Sequence, residues 1–509
     1  MNILPKHLLL GSLAALSVAC GGGAGTGQPA VTGKPPGAAT GTKVSSAAEG
    51  KFNAAIASFN AHDKAADWND AVCADVAKQF QAAAAEQAGN NLPEAHFDAG
   101  LAYQRCNNDK LARASFETAL KGDPKFHHAA AQIALYDYKA NGNADRAISS
   151  LQQAVLDARF QNVSALVGLA LVQMDRDSSQ GQQDCKDDFD CAKRNLQRAL
   201  AIDDGYMPAF NQLALYYFQS AKKRATTGGG KTAKRGRQIA TNSALAKRAD
   251  VQQLELAALV CSQAVRKNAK YAPIHNTAGL IQNELGLFNG AVAEFKSATA
   301  LDPRLFEAQM NYGAVNLSFR GFEQAEGAYR KALSMRPNDY DAHLGLALAL
   351  RGQINDSNYD KQVAAVQSEL DAAKKLDGNR PDAFYNEGIL VQEFKAKSGG
   401  SSDAQIKALT EAKGILQNFQ SKASGKSEYD GAVKRAKERV EDIDATIDFI
   451  KSAPPPEAAA PAAPAPAAPA AAPAGKQQAS VLDELLPAGA GDVRTALLQG
   501  EPLRLQSAD

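Results

Sequence analysis

Apolar and polar residues in the middle of the chain follow the spacing of amphipathic helices, and these helices recur in pairs. One pair reads APIHNTAGLIQNELGLFNGAVAEFKSATALDP from Ala272 to Pro303, and the next reads FEAQMNYGAVNLSFRGFEQAEGAYRKALSMRP from Phe306 to Pro337. The two segments are offset by 34 residues, since Gly279 aligns with Gly313. A fixed period of this length indicates an array of stacked helix pairs.

A third copy, PEAHFDAGLAYQRCNNDKLARASFETALKGDP, runs from Pro93 to Pro124 and carries the same residue types at the same offsets. Small residues let two helices cross closely, and proline ends the second helix. The small residues expected at the crossings are Gly100, Gly279, Gly313, Ala112, Ala291 and Ala325. The aromatic residues expected to fill the space to the next repeat are Phe116, Phe295 and Tyr329.

These offsets resemble the tetratricopeptide (TPR) family, which implies an all-α solenoid of helix-turn-helix repeats. Weaker copies bring the array to roughly eight repeats, with Trp68 as an anchor of the cap before them. The predicted division is a signal peptide 1–19, a lipidated Cys20 with a flexible tether 20–50, an N-terminal helical cap 51–92, a TPR array 93–420 with insertions at about 175–190 and 221–250, a C-terminal capping helix 421–452, a Pro/Ala linker 453–480 and a tail 481–509.

The N-terminus indicates export. Lys6 and His7 precede the apolar run LLLGSLAALSVAC, which is too short to span a membrane as a helix. The end of this run resembles the bacterial lipobox, which implies acylation of Cys20; the alternative is an ordinary signal peptide with a chance cysteine. Because Gly21 and not Asp follows, the resemblance implies an outer-membrane anchor, facing the periplasm or the cell surface.

Five cysteines follow Cys20, and an oxidising compartment favours disulfides between them. The candidate pairs are Cys185 with Cys191, and Cys73 with Cys106. A metal site at the first pair lacks further soft ligands, so we expect no metal there. Cys261 lies on an apolar helix face, where a buried free thiol is expected.

The stretch ATTGGGKT, from Ala225 to Thr232, matches a relaxed phosphate-binding loop. Such a loop must follow a buried strand and open a helix. Here it follows LALYYFQSAKKR, and no apolar β-run precedes it. We therefore expect no nucleotide site.

The same region is rich in bases and contains no acid from Lys222 to Arg248. Its bases are Lys222, Lys223, Arg224, Lys231, Lys234, Arg235, Arg237, Lys247 and Arg248. The plain interpretation is a solvated flexible loop; the functional alternative is contact with an anionic surface. The absence of interleaved aromatic residues and the net charge of +1 for the whole chain argue against nucleic acid.

The remaining candidate surface is the groove lined by the first helices of the repeats. Asn and Gln side chains there suit a partner's backbone, and apolar neighbours suit its side chains. By repeat offset, the groove positions are Gln132, Tyr136, Asn211, Leu215, Asn276, Leu280, Asn283, Met310 and Leu317. Histidines such as His96 and His275 occupy packing positions, and no catalytic motif occurs, so we expect neither an enzyme nor a cofactor.

The plan of lipobox, tether, TPR array and Pro/Ala tail resembles the TPR lipoproteins of myxobacterial adventurous gliding motility. That resemblance, carried also by fragments such as EAHFDAGLAYQRC, implies a structural role with protein partners in an envelope complex. The alternatives are a pilotin-like lipoprotein that assists secretin and type IV pilus assembly, and a periplasmic enzyme with accessory TPRs. The tail carries Val481, Leu482, Leu485 and Leu486, which are either incidental or a docking peptide.

Overall fold

The computed structural model describes residues 44–65, 67–181, 184–229, 239–397 and 400–452, and the side chains of 224–250 lie outside that description. Within these ranges the chain forms nineteen α-helices. In chain order they are α1 (Ser46–Ala65), α2 (Asp70–Ala85), α3 (Pro93–Arg105), α4 (Asp109–Gly122), α5 (His127–Asn141), α6 (Ala144–Asp157), α7 (Val163–Arg176), α8 (Asp188–Ile202), α9 (Met207–Gly229), α10 (Ile239–Lys267), α11 (Ala272–Glu284), α12 (Phe288–Leu301), α13 (Phe306–Ser318), α14 (Phe322–Met335), α15 (Tyr340–Arg351), α16 (Tyr359–Leu376), α17 (Asp382–Leu390), α18 (Ser402–Ala423) and α19 (Asp430–Ser452).

The helices form a TPR-type α-solenoid, which confirms the predicted all-α fold. In the described part of the chain, eight pairs run from α3 to α18, preceded by the pair α1–α2 and followed by α19. The chain divides into two compact units, Met1–Ala308 and Gln309–Asp509. No helix in the described ranges is both long and apolar enough to cross a membrane.

Each glycine of the repeat lies against the aromatic ring of its own second helix. A methyl group on Gly100 would lie 2.5 Å from Phe116, and one on Gly279 would lie 2.6 Å from Phe295. The ring of Phe116 also faces the next repeat, with its centroid 6.2 Å from that of Tyr136. The glycines therefore set the close helix crossing, and the aromatic residues join consecutive repeats, as the sequence predicts.

Turns between repeats share one local device. The second helices α4, α12 and α14 each end two residues before the proline of their repeat, because the residue before a proline avoids helical geometry. After α4 and α12, an aspartate follows the helix and accepts a backbone N–H two residues later: Asp123 Oδ1 accepts from Lys125 at 2.9 Å, and Asp302 Oδ1 from Arg304 at 2.9 Å. After α14 the residue at this position is Arg336. These turns hold consecutive repeats at a fixed distance.

The N-terminal cap encloses a buried guanidinium. Arg105, at the end of α3, donates to both carboxylate oxygens of Asp63 at 2.8 and 2.9 Å, and its side chain is fully buried. Trp68 Nε1 donates to the same carboxylate at 2.8 Å, and the Trp68 ring packs edge-on against Phe59. Trp68 therefore anchors the cap through both its ring and its N–H group.

Two predicted boundaries differ from the structure. The first helix begins at Ser46, inside the predicted tether 20–50. The insertion 221–250 is also not one flexible loop, because α9 continues to Gly229 and α10 begins at Ile239. The described residues of the insertion thus lengthen both helices of that repeat. Cys20, the linker 453–480 and the tail 481–509 lie outside the described residues.

Candidate partner-binding groove

The first helices of the first unit lie side by side, with α5 against α7, α7 against α9, and α9 against α11. Side-chain amides link the earliest of them. Gln104 Nε2 on α3 donates to Gln132 Oε1 and to the Tyr136 hydroxyl, both at 3.1 Å. Gln132 Nε2 in turn donates to Ser164 Oγ on α7 at 3.5 Å. This polar chain holds α3, α5 and α7 together.

Three predicted groove residues are buried and do not face a partner. The Tyr136 hydroxyl is held by Gln104 and donates to Asp109 Oδ1 at 3.4 Å. Asn211 Oδ1 on α9 accepts the Thr277 hydroxyl of α11 at 2.7 Å. Leu317 belongs to the apolar core of the second unit. The prediction was wrong for these positions because neighbouring repeats approach closely enough to cover them.

Four predicted residues remain accessible together on α9 and α11. Leu215, Asn276, Leu280 and Asn283 are each half-buried. The last three follow one another at helical spacing on α11, and the two helices are joined beneath them by the bond between Asn211 and Thr277. We call these four residues the α9–α11 surface. The two leucines also pack against the apolar cores beneath them, and their half-exposed parts lie with two amides on a surface that suits an extended or helical segment.

The other two predicted groove residues lie elsewhere. Gln132 is half-buried and takes part in the amide chain described above. Met310 is half-buried and packs against the apolar core of the second unit. Neither belongs to the α9–α11 surface.

The described part of the basic segment is paired and is not a set of solvated charges. Lys222 Nζ lies 3.8 Å from Glu284 Oε2 and 4.8 Å from the centre of the Phe218 ring. Lys223 pairs with Asp177 and lies 3.6 Å from the centre of the Phe189 ring. Both lysines are half-buried, and each makes an ion pair and a cation–π contact with residues of the repeats. The side chains of Arg224, Lys247 and Arg248, and residues Lys231, Lys234, Arg235 and Arg237, lie outside the described residues.

Only the first part of the glycine-rich stretch is described. Its residues 225–229 continue the helix α9, which begins at Met207, and residues 230–232 lie outside the described residues. A phosphate-binding loop instead precedes the N-terminus of a helix. The absence of a nucleotide site stays a prediction from the sequence.

Both candidate cysteine pairs are joined in the structure. Cys73 on α2 bonds to Cys106 at the end of α3, and Cys185 bonds to Cys191 on α8. Cys261 is a free, buried thiol on α10. Burial raises the pKa of this thiol to about 12, and the charge of Glu294 adds to the rise. The thiol is consequently protonated and poorly reactive at neutral pH.

Histidines of the first helices make hydrogen bonds within their own repeats, to the preceding turn and in two cases to the second helix. His96 Nε2 lies 3.0 Å from the carbonyl oxygen of Asn90, in the turn before α3. His275 and His343 make the corresponding bond, and each also contacts a glutamate of the second helix of its repeat. Within the described ranges, no group of three or more metal-ligating side chains is found.

One polar cluster was not predicted from the sequence. Arg351 ends the apolar helix α15 and is buried, and Arg439 on α19 contacts Gln392 and Glu393 in the π-helical turn Val391–Lys395 that follows α17. The signal in the sequence is an arginine that closes the run HLGLALAL. A separate cleft of about 520 Å³ lies along α16, where it is lined by Tyr359, Asp360, Val363, Ala364, Gln367, Ser368, Asp371 and Lys395.

No family model and no curated protein matches the chain. Among solved structures, a thermophilic TPR protein of Thermus thermophilus is 24% identical over 44% of this chain and 99% of that chain, with a TM-score of 0.34. A TPR protein of Parabacteroides merdae is 13% identical over 62% of this chain and 98% of that chain, with a TM-score of 0.33. The human IFIT1 dimer, solved with m7Gppp-AAAA, is 16% identical over 78% of this chain and 81% of that chain, with a TM-score of 0.45. These likenesses concern the fold.

Proposed function

We propose that the protein is a non-enzymatic scaffold, anchored to the outer membrane by lipid on Cys20, that holds a segment of another envelope protein. The observation that carries the proposal is the α9–α11 surface. There, Asn276, Leu280 and Asn283 follow one face of α11 beside Leu215, on helices that a buried hydrogen bond joins.

The chemistry of this surface suits a peptide segment. The amide of Asn283 both donates and accepts, so it can pair with a backbone carbonyl and a backbone N–H. A half-buried leucine between the two amides of the surface offers an apolar seat for one side chain of the partner. Covalent catalysis requires a nucleophile beside a general base, and the four residues of the α9–α11 surface contain neither.

Sequence and structure give separate support for an exported protein. The lipobox-like run and the Gly/Pro-rich stretch after it are what a tethered lipoprotein needs. Two disulfides suit an oxidising compartment, since they are rare in reducing ones. Metabolic labelling with palmitate tests the anchor: the wild type is expected to incorporate label and Cys20→Ser to lose it. An unlabelled wild type would refute the anchor.

We propose the gliding-motility machinery as the complex that this scaffold serves, on the resemblance of its overall plan. Deletion of the gene should abolish single-cell gliding and leave secretin multimers intact. Loss of secretin multimers would instead support a pilotin-like role. Normal gliding together with normal multimers would exclude both systems.

The groove is tested by co-precipitation of the full-length protein from envelope extracts. The substitution Leu280→Asp places a charge in the apolar seat, and Asn276→Ala with Asn283→Ala removes both amides. Each change should reduce capture of the partner without changing the circular dichroism spectrum. The matched control is Leu259→Asp on α10, where the leucine is 52% exposed and outside the surface. Equal loss in the control variant would show that the α9–α11 surface is not the site.

A further inference from the structure

The guanidinium of Arg351 is buried without an ion-pair partner among the described residues. Its residue is 5% exposed, and its one hydrogen bond runs from Nη1 to the carbonyl oxygen of Asn386 at 3.4 Å. The second terminal nitrogen, Nη2, has no hydrogen-bond partner in the same ranges. A buried charge in this state is costly unless a group of opposite charge completes it.

Two carboxylates of α17, the helix whose Asn386 carbonyl Arg351 contacts, are engaged with other groups. Glu387 Oε1 accepts from Lys374 at 2.6 Å and from Gln367 at 2.7 Å. The carboxylate of Asp382 accepts the Tyr429 hydroxyl at 3.1 Å and lies 3.5 Å from Arg380. Both acids therefore have cationic or hydroxyl partners of their own.

Glu393 is shared between two other cations. Its Oε1 accepts from Arg439 Nη1 at 3.0 Å, and its Oε2 accepts from Lys397 Nζ at 2.9 Å. Burial alone would raise the pKa of Glu393, but the bonds from Lys397 and Arg439 lower it overall, so this group is ionised. One carboxylate thus serves both of these cations and also lies in the field of Arg351.

The positive charge at Arg351 is in excess. Burial and the nearby charge of Arg439 lower the pKa of Arg351 to about 10, which still leaves the group protonated at neutral pH. The hydroxyl of Tyr385, which interacts electrostatically with Arg351, is also buried and without a hydrogen-bond partner in the described part of the chain. Two neighbouring donors therefore lack an acceptor.

The backbone beside this cluster is irregular. The turn Val391–Lys395 is π-helical, and Gln392 and Glu393 on this turn are the residues that hold Arg439. Single π turns inside α-helices are frequent at functional sites. Gln392 and Glu393 are both half-buried, so this turn is where solvent reaches the cluster.

We propose that Arg351 and Tyr385 form a receptor for one carboxylate, supplied by an acidic side chain of a partner protein. A planar carboxylate matches the guanidinium fork, and its single negative charge offsets the charge of Arg351 itself. A phosphate dianion would add charge that faces Glu393. That a partner protein supplies the carboxylate rests on the proposed scaffold function. That Arg351 and Tyr385 bind a carboxylate does not.

Thermal unfolding of the full-length protein tests the site, with sodium acetate as the probe and sodium chloride at equal ionic strength as the reference. Acetate should shift the unfolding midpoint of the wild type upward relative to chloride. The shift should vanish in Arg351→Met and shrink in Arg351→Lys and Tyr385→Phe. Tyr385→Phe is expected to keep its fold, because the hydroxyl has no bond to lose. A midpoint that acetate and chloride move equally, or a larger shift in phosphate than in acetate, would overturn the proposal.

The partner is tested separately by co-precipitation of Arg351→Met and wild type from envelope extracts. Reduced capture by the variant is the expected result and supports a partner carboxylate. Equal capture by both proteins, with the acetate response intact in the wild type, would be consistent with the scaffold function. It would overturn the claim that the partner supplies the carboxylate bound by Arg351. No capture by either protein, with the acetate response intact, would refute the scaffold function and not the carboxylate receptor.

Discussion

The Nδ1 atom of His275 lies 2.7 Å from a carboxylate oxygen of Glu294, while its Nε2 atom lies 2.9 Å from the carbonyl oxygen of Ala269. Both ring nitrogens thus face oxygen acceptors, and only the imidazolium carries a proton on each nitrogen. The hydrogen bond to Glu294 raises the pKa of His275 above its ordinary value of 6.5, against the lowering effect of burial. His343 has the same arrangement with Glu369 and Pro337.

We predict that the pair of His275 and Glu294 makes the stability of its repeat depend on pH. A raised pKa in the folded state contributes stability that is fully present below pH 6.5 and is lost as the pH rises through the folded value. A double-mutant cycle of His275→Gln and Glu294→Gln, followed by urea unfolding, isolates the pair. The coupling energy should be larger at mildly acidic than at alkaline pH. A coupling energy that is the same at both would contradict the imidazolium.

A second prediction concerns the ring of Tyr329, which is fully buried between two glycines. A methyl group on Gly313 would lie 2.8 Å from this ring, and one on Gly345 would lie 2.3 Å from it. Because both glycines lie against the ring, it cannot move away from one without approaching the other. We expect Gly313→Ala to lower the unfolding free energy by about 1–3 kcal/mol through overpacking, offset in part by better helix propensity.

The matched control for this change is Gly327→Ala. Gly327 lies on α14, the helix that carries Tyr329, and a methyl group there would meet no atom within 4 Å. We expect that change to raise stability by up to about 1 kcal/mol. Urea unfolding of the two variants therefore gives opposite signs, and a stabilising Gly313→Ala would show that the close helix crossing is not required.

A third prediction follows from the buried pair of Arg105 and Asp63. The substitution Asp63→Ala leaves the guanidinium buried without its carboxylate, and we expect it to cost about 3–5 kcal/mol. Asp67 pairs with His62 at the surface, where its side chain is 53% exposed. We expect Asp67→Ala to cost less than about 1 kcal/mol. Chemical unfolding of both variants checks the difference, and equal costs would mean that the buried pair is not a structural anchor.

The periodic part of the fold was predictable, because the residues that make one contact recur at the same offset in several repeats. Gly279 with Phe295 and Gly313 with Tyr329 are such contacts, and both helices of each pair follow from them. Accessibility in the groove was only partly predictable. It depends on how closely neighbouring first helices approach, and non-repeating residues such as Thr277 determine that distance.

The polar cluster around Arg351 was not predictable from the repeat pattern. Its members come from α15, α17, the π turn and α19, and none of them repeats at a fixed offset. The apolar run HLGLALAL before Arg351 is a local sign of burial, but it does not identify the groups that surround the guanidinium. The loop predicted at 221–250 rested on its glycines, which disfavour helix, whereas the Lys, Arg and Ala residues around them are good helix formers. Helix therefore extends to Gly229 and begins again by Ile239.

A fourth prediction concerns thiol reactivity. Cys261 is 3% exposed, and burial raises its pKa to about 12, so an alkylating reagent should not modify it in the folded protein at pH 8. In urea without reductant, the peptide that contains Cys261 should become alkylated. The peptides that contain Cys73 and Cys185 should remain unmodified until reductant is added, and modification of either before that point would show that its disulfide is absent.

The last prediction compares the two disulfides. The bond between Cys73 and Cys106 spans 33 residues, and the bond between Cys185 and Cys191 spans six. In the chain-entropy description, a longer closed loop restricts the unfolded chain more, so replacing both cysteines of the first pair by serine should cost about 3–4 kcal/mol and the second pair about 2 kcal/mol. Unfolding midpoints of Cys73→Ser/Cys106→Ser and Cys185→Ser/Cys191→Ser measure both. A reductant should move the wild type to the midpoint of the less stable variant or below it, and a wild type that does not respond to reductant would contradict the cross-links.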